Sequence, residues 1–171
     1  NGATDEIATT GNVLLDSGGA IGSSTNRIEM TGVNTMAARS VTSQYLAQTS
    51  GSLTVGTVAA LTPGDTALDI AATSGSGMVT TGAAQTLSLT VVAGNLNVAN
   101  DIDALATGDL HLASGTGAVA TTGAAKLIAN TLRVDAANSS TLNNANTVNT
   151  VAANVTGAGQ GFEFTNVGSF A

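Results

Sequence analysis

The 171-residue chain has no cysteine and no tryptophan, one proline and one tyrosine, and only 9% of its residues are charged. Each shortage removes a class of explanation. Without Cys there is no thiol nucleophile, no thiolate metal ligand and no disulfide staple. With 2% aromatic residues, a broad globular core, which large rings normally help to fill, gives way to a narrow one fed by aliphatics. The only cations are Arg27, Arg39, Lys126 and Arg133, against a formal net charge of -7. Nucleic-acid phosphates and anionic lipid surfaces are therefore poor partners. No apolar run approaches the ~18 residues of a membrane span, so membrane insertion is not expected. Asn1 to Ile7 lacks a basic stretch leading into a hydrophobic one, so any export signal is expected outside these residues.

What is present is repetition. Hydrophobic residues make up 43% of the chain, mostly Ala, Val, Leu and Ile, with Thr, Ser, Asn and Gly between them. Strand signals come as triplets whose outer members are apolar: Val13 and Leu15, Ile28 and Met30, Leu53 and Val55, Leu68 and Ile70, Leu87 and Leu89, Leu96 and Val98, Leu110 and Leu112, Leu132 and Val134, Phe162 and Phe164. A period of two places both outer members on one face, and the turn-forming residues nearby end each strand. No segment sustains a helical period. Asn-Gly, the favoured two-residue hairpin turn, occurs only at Asn1-Gly2. Strands this short gain stability by stacking on their equivalents one turn away. The expected fold is all-β, a right-handed parallel β-helix of about eight coils at ~20 residues each, with residues 1–171 as a single solenoid segment.

Longer phrases also recur. Gly108 to Ala125 resembles Leu68 to Ala84 and, more loosely, Gly11 to Ile21, while Val33-Asn-Thr-Met-Ala-Ala38 returns as Val148-Asn-Thr-Val-Ala-Ala153. These matches suggest one building block that occupies matched places in different coils. The chain stops in a phrase that continues for several coils at its earlier occurrence, as a piece cut from, or a unit repeating within, a longer rod or fibre would.

Asp16-Ser-Gly-Gly-Ala-Ile-Gly-Ser23, Gly51-Ser-Leu-Thr-Val-Gly-Thr-Val58 and Thr147-Val-Asn-Thr-Val-Ala-Ala153 resemble the repeat regions of filamentous-haemagglutinin-like exoproteins. That family consists of large bacterial surface adhesins exported by two-partner secretion. The resemblance implies a right-handed β-helical rod at the bacterial cell surface or outside the cell, which projects, spaces or attaches, with host or matrix glycans as partners. The chain shows no secretion-targeting module and no Arg-Gly-Asp tripeptide, so neither the route nor a receptor carries over.

Residues with chemistry are few. Asp101, Asp103 and Asp109 form the densest acidic group, and carboxylates are the ligands of hard cations, but all three sit at turn-like positions. No metal site is expected of them. His111 lies between Leu110 and Leu112, so it points to solvent if they point inward, as Arg133 does between Leu132 and Val134. Without a convergent nucleophile it has no general-base role, and it reads as an exposed bystander. Glycines 75, 77 and 82, and 157, 159 and 161, lack the spacing and the Lys of phosphate loops and read as coil corners. Thr9-Thr10, Thr80-Thr81 and Thr121-Thr122 would stack as a hydroxyl ladder, which favours β structure or binds ice or a polysaccharide. The Asn-rich run from Asn138 to Asn154 suggests inward or turn ladders. Phe162, Phe164 and Phe170, near the C-terminal end, mark either an end-to-end docking surface or a wider last coil. The expected function is that of a rigid, non-enzymatic stalk or fibre unit without cofactor, joined to others end to end or by covalent continuation. The alternative is a β-helix module that binds or degrades polysaccharide.

Overall fold

The computed structural model describes residues 5–60 and 74–171. In chain order the strands are β1 (Ile7–Ala8), β2 (Asn12–Ser17), β3 (Ile28–Thr31), β4 (Thr35–Ser40), β5 (Gln44–Ser50), β6 (Leu53–Val55), β7 (Thr57–Val58), β8 (Gly75–Ser76) and β9 (Met78–Thr80). They continue with β10 (Thr86–Val91), β11 (Leu96–Val98), β12 (Ile102–Asp103), β13 (Asp109–Ser114), β14 (Val119–Thr121), β15 (Leu127–Ala136), β16 (Ser140–Val155) and β17 (Phe162–Asn166). Among the described residues there is no helix, and hence none long and apolar enough to cross a membrane.

All strands except β7 and β8 pair in parallel in one continuous sheet, which winds as a β-solenoid of about 6 turns. Each coil passes through three faces. On the first, β1, β3, β5, β10, β13, the end of β15 and the end of β16 stack in order. The second carries β6, β11, β14, the start of β16, and β17. The third stacks the end of β4, then β9, β12 and the start of β15. Long strands such as β16 bend round a corner and serve more than one face.

The period-two pattern explains the core. Leu46, Leu89, Leu112 and Val134 form one in-register column, and Leu87, Leu110 and Leu132 form another beside it. These residues are at most 2% exposed. Fully burying each such aliphatic contributes roughly 1.5–3 kcal/mol. On the second face Leu53, Leu96 and Val119 stack, and on the third Ala38, Met78, Ile102 and Leu127. The columns meet in one narrow core.

At the corners the ladder breaks, and side chains of the next coil take over the backbone donors. Val119 N donates to Ser140 Oγ (3.0 Å), Leu127 N to Asn146 Oδ1 (2.9 Å) and Val148 N to Asn166 Oδ1 (3.0 Å). A buried N–H without a partner would cost as much as a lost hydrogen bond, so these polar residues are structural despite lying at the core.

Two expectations are corrected. There are about 6 turns, not eight, because one coil is about twice as long as the others: Leu46 pairs with Leu89, 43 positions on, whereas Leu87 pairs with Leu110, 23 on, and Leu132 with Val151, 19 on. The extra length of that coil is an excursion. Between β6 and β9 the chain leaves through Gly56 and re-enters at Gly77, whose N–H donates to Gly56 O at 3.0 Å, with β7 and β8 forming an antiparallel stem. Leu68 and Ile70 lie in this excursion, outside the described residues.

The second correction concerns the repeats. Met78–Thr80 sits on the third face against Ile102, whereas the matching Val119–Thr121 sits on the second against Leu96. Thr35–Ser40 pairs with β6 and β9, while the matching Thr150–Val155 pairs with β15 on the first face. The recurring phrases therefore encode a generic strand and corner that fits any face. They do not mark equivalent positions.

Candidate functional site

The first face is widest and most regular over β10, β13, β15 and β16, where six residues of each strand, or nearly so, run in register with no bulge. Alternate residues point into the core, and those between them form an outward grid, within which Ser88 is itself buried. Its columns are Thr86, Asp109, Thr131, Thr150; then Ser88, His111, Arg133, Ala152; then Thr90, Ala113, Asp135, Asn154. Successive members of a column stand one strand apart, about 4.8 Å.

Asp135 is the centre of this grid. His111 Nε2 lies 2.8 Å from its Oδ2, Arg133 Nε donates to Oδ2 at 2.6 Å and NH2 to Oδ1 at 3.1 Å, and Asn154 Nδ2 reaches Oδ1 at 3.5 Å. The Arg133 hydrogen bond holds the Asp135 carboxyl below the usual carboxylate range, against the opposing effect of partial burial and with help from His111. The same pair raises the Arg133 guanidinium. His111 does face outward, as its position between two leucines requires, but it is a partner of Asp135 and not a bystander.

Ser88 stands in register beside His111, which superficially completes a Ser, His, Asp row. Its hydroxyl, however, accepts from Arg27 NH1 at 3.2 Å, and Arg27 also donates to Thr90 Oγ1 at 3.0 Å. The nucleophile-to-base hydrogen bond that a catalytic relay needs is not made. Ser88 is buried with its hydroxyl held by Arg27, and what the row presents outward is the His111, Arg133 and Asp135 cluster.

Two shallow depressions flank Asp135. One, of about 230 Å³, is lined by Thr90, Ala113, Gly115, Asp135, Asn154 and Thr156 among others. The other, of about 240 Å³, lies between Arg133, Asp135, Ala152 and Asn154.

A larger groove of about 580 Å³ runs along the third face, with Ser76, Asn100, Asp101, Asp103 and Lys126 on its walls. Asp101 Oδ1 accepts Lys126 N at 2.8 Å and so ties its coil to the next, and Asp103 Oδ1 accepts Leu105 N at 2.7 Å and closes its own turn. Asp109 is on the first face, bonded to the Thr131 hydroxyl, and is not brought near the other two. Among the described residues no three His, Cys, Asp or Glu side chains are grouped so as to hold a metal ion.

The remaining candidates fall as follows. Thr80 is buried and donates to Val41 O and Thr42 O, both 3.2 Å, on a different face from Thr121. The expected Thr9, Thr80, Thr121 ladder is therefore absent, because the three belong to different faces. The outward Thr column of the grid runs instead through Thr86, Thr131 and Thr150. Gly77 and Gly159 adopt φ +71° and +73° at corners. The Asn run does form ladders: Asn146 pairs in register with Asn166, and Asn149 Nδ2 donates to Asn130 Oδ1 at 3.1 Å. Phe162 and Phe164 stack with centroids 6.0 Å apart, and Phe170 tilts onto Phe164 at 6.1 Å. The grid was findable from sequence, since Ser88, His111 and Arg133 are the middle residues of three aliphatic triplets. Arg27 was not, because it reaches Ser88 across an intervening coil.

The fold and these surfaces define a β-solenoid protein with a polar face. Comparison of the chain with protein-family models, with curated proteins and with solved structures finds no match.

Proposed function

We propose that the chain is a non-enzymatic structural segment of a filamentous-haemagglutinin-like bacterial surface adhesin or filament, a rigid stalk or fibre unit that works outside the cell in attachment. The observation that supports it most is the uninterrupted coil-on-coil pairing of the first face from β1 to β16, which makes one stiff body from local contacts between neighbouring coils. Both ends of the stack present apolar material. The Phe162, Phe164 and Phe170 cluster lies at one, with Phe170 52% exposed. A groove of about 460 Å³ lined by Ile7, Leu15, Ile21 and Ile28 lies at the other. End-to-end stacking of copies or covalent continuation of the rod would cover both, and host or matrix glycans are the partners an adhesin would reach.

Electron micrographs of the native assembly, with antibody to this chain on intact source cells, test the reading. The expected result is labelled rods or fibres at the surface. Short monomers that label only after lysis would sink it.

A second reading, a module that binds or cleaves polysaccharide, draws on the third-face groove with Asp101 and Asp103 on its wall. Turnover of any glycan, lost in Asp103→Asn, would favour it over the first.

A further inference from the structure

We infer that the two depressions flanking Asp135 form a binding site for a neutral glycan, one sugar ring to each side of the Asp135 and Asn154 ridge. The inference deepens the glycan-attachment part of the proposed function and rests on that part alone; the stalk is tested separately by particle shape.

Three observations carry it. First, the depressions adjoin, with Asp135 and Asn154 in the lining of both, so one saccharide chain can cross from one to the other. Second, small apolar side chains help line both, Ala113 in one and Ala152 in the other. A small apolar floor accepts the C–H face of a pyranose, while hydroxyls and amides at the rim meet its O–H groups. Thr90, Thr156 and Asn154 line one depression, and Arg133, which lines the other and has placed Nε and NH2 on Asp135, keeps NH1 for a ligand. Third, the charges are already matched. Asp135 is engaged by Arg133 and His111, so the ridge demands no counter-ion and favours an uncharged ligand over a uronate or sulfate. The same contacts hold the ridge in place, so little rotamer freedom is lost when a ligand arrives.

Affinity electrophoresis in gels containing hydroxyethylcellulose or barley β-glucan tests the site, with alginate as the acidic comparison. The expected result is retardation of the wild-type chain by a neutral glycan. Ala113→Leu, which fills one depression without touching the core, is expected to weaken retardation about tenfold, and Asn154→Ala about fivefold, as loss of one or two hydrogen bonds implies. Val79→Leu, on the third-face groove, is expected to behave as wild type. Circular dichroism on each variant separates loss of the site from loss of the fold. The proposal is overturned if neither neutral glycan retards the wild type, if alginate alone does, or if folded Ala113→Leu is retarded as strongly as wild type.

Discussion

Replacing Asn146 by Asp, a change of one heavy atom's identity, should damage this protein more than deleting the side chain to Ala. Asn146 is fully buried. Its Oδ1 accepts Leu127 N at 2.9 Å, and its Nδ2 donates to Leu142 O at 2.7 Å and Thr165 O at 2.9 Å, joining three coils. In Asn146→Ala those three bonds go, at about 1 kcal/mol each. The buried Leu127 N–H is left without a partner, for a total near ~3–4 kcal/mol. In Asn146→Asp the Leu127 bond survives, but a carboxylate oxygen replaces the amide nitrogen against two carbonyl oxygens. An unpaired buried charge costs several kcal/mol, so the loss at pH 7 should exceed that of Ala and approach ~5 kcal/mol, a large part of a typical domain's stability. Burial raises the folded-state pKa of such a carboxyl above its unfolded value near ~3.9. The penalty is thus full above the folded pKa and shrinks as pH falls through it, when the neutral acid regains one O–H donor. Urea unfolding followed by circular dichroism at pH 7 and pH 4 measures both effects. An Asp variant as stable as wild type at pH 7, or one less stable at pH 4 than at pH 7 relative to wild type, would refute the corner chemistry described above.

Two further outcomes are expected. In Gly77→Ala the added Cβ meets Asp101 O at 2.1 Å at a backbone φ of +71°, so the re-entry into the third face should lose ~2–4 kcal/mol, read as a lower urea midpoint with unchanged m-value. Asp135→Asn should lower the melting temperature slightly at pH 7, by ~3 °C or less for a partly exposed pair. Because the Asp135 pKa is depressed, its contribution is present above the ordinary carboxylate pKa near ~3.9 and fades as pH falls through the lower folded value. The difference between wild type and variant in thermal melts should therefore shrink as the pH is lowered below the ordinary carboxylate value near ~3.9.

Much of the fold was legible because one rule was repeated. Leu87 and Leu89, Leu110 and Leu112, and Leu132 and Val134 each announce a strand with two inward aliphatics, and all lie in the first-face columns. The third face escaped notice because each of its strands gives the core only one or two residues, such as Met78 in β9 or Ile102 in β12, and one apolar residue has no period. β5 was hidden for another reason. Its inward residues are Gln44, Leu46 and Gln48, and both glutamines are fully buried, so polarity mislabels the inward side. Gln44 Nε2 donates to Ser40 Oγ nearby at 3.0 Å and to Val79 O at 2.8 Å, the latter a long-range partner that no local pattern shows. The repeated phrases misled for the same reason, since any face accepts a short apolar alternation followed by a glycine corner. Of the grid, His111 and Arg133 were recognised as outward residues, but their meeting through Asp135 depends on coil length, which varies from one coil to the next.

The register of the first face underlies both the stalk and the glycan site, and the cysteine-free chain permits a direct test. In the variant Thr131→Cys with Thr150→Cys, the two positions are direct register partners on β15 and β16, and the ~4.8 Å strand spacing lies within the Cα separation of a relaxed disulfide. Rapid intramolecular oxidation is expected, measured by thiol titration and intact mass, with Thr131→Cys paired with Asn154→Cys staying reduced under the same conditions. Oxidation of the second pair in preference to the first would contradict the stacking on which the account rests.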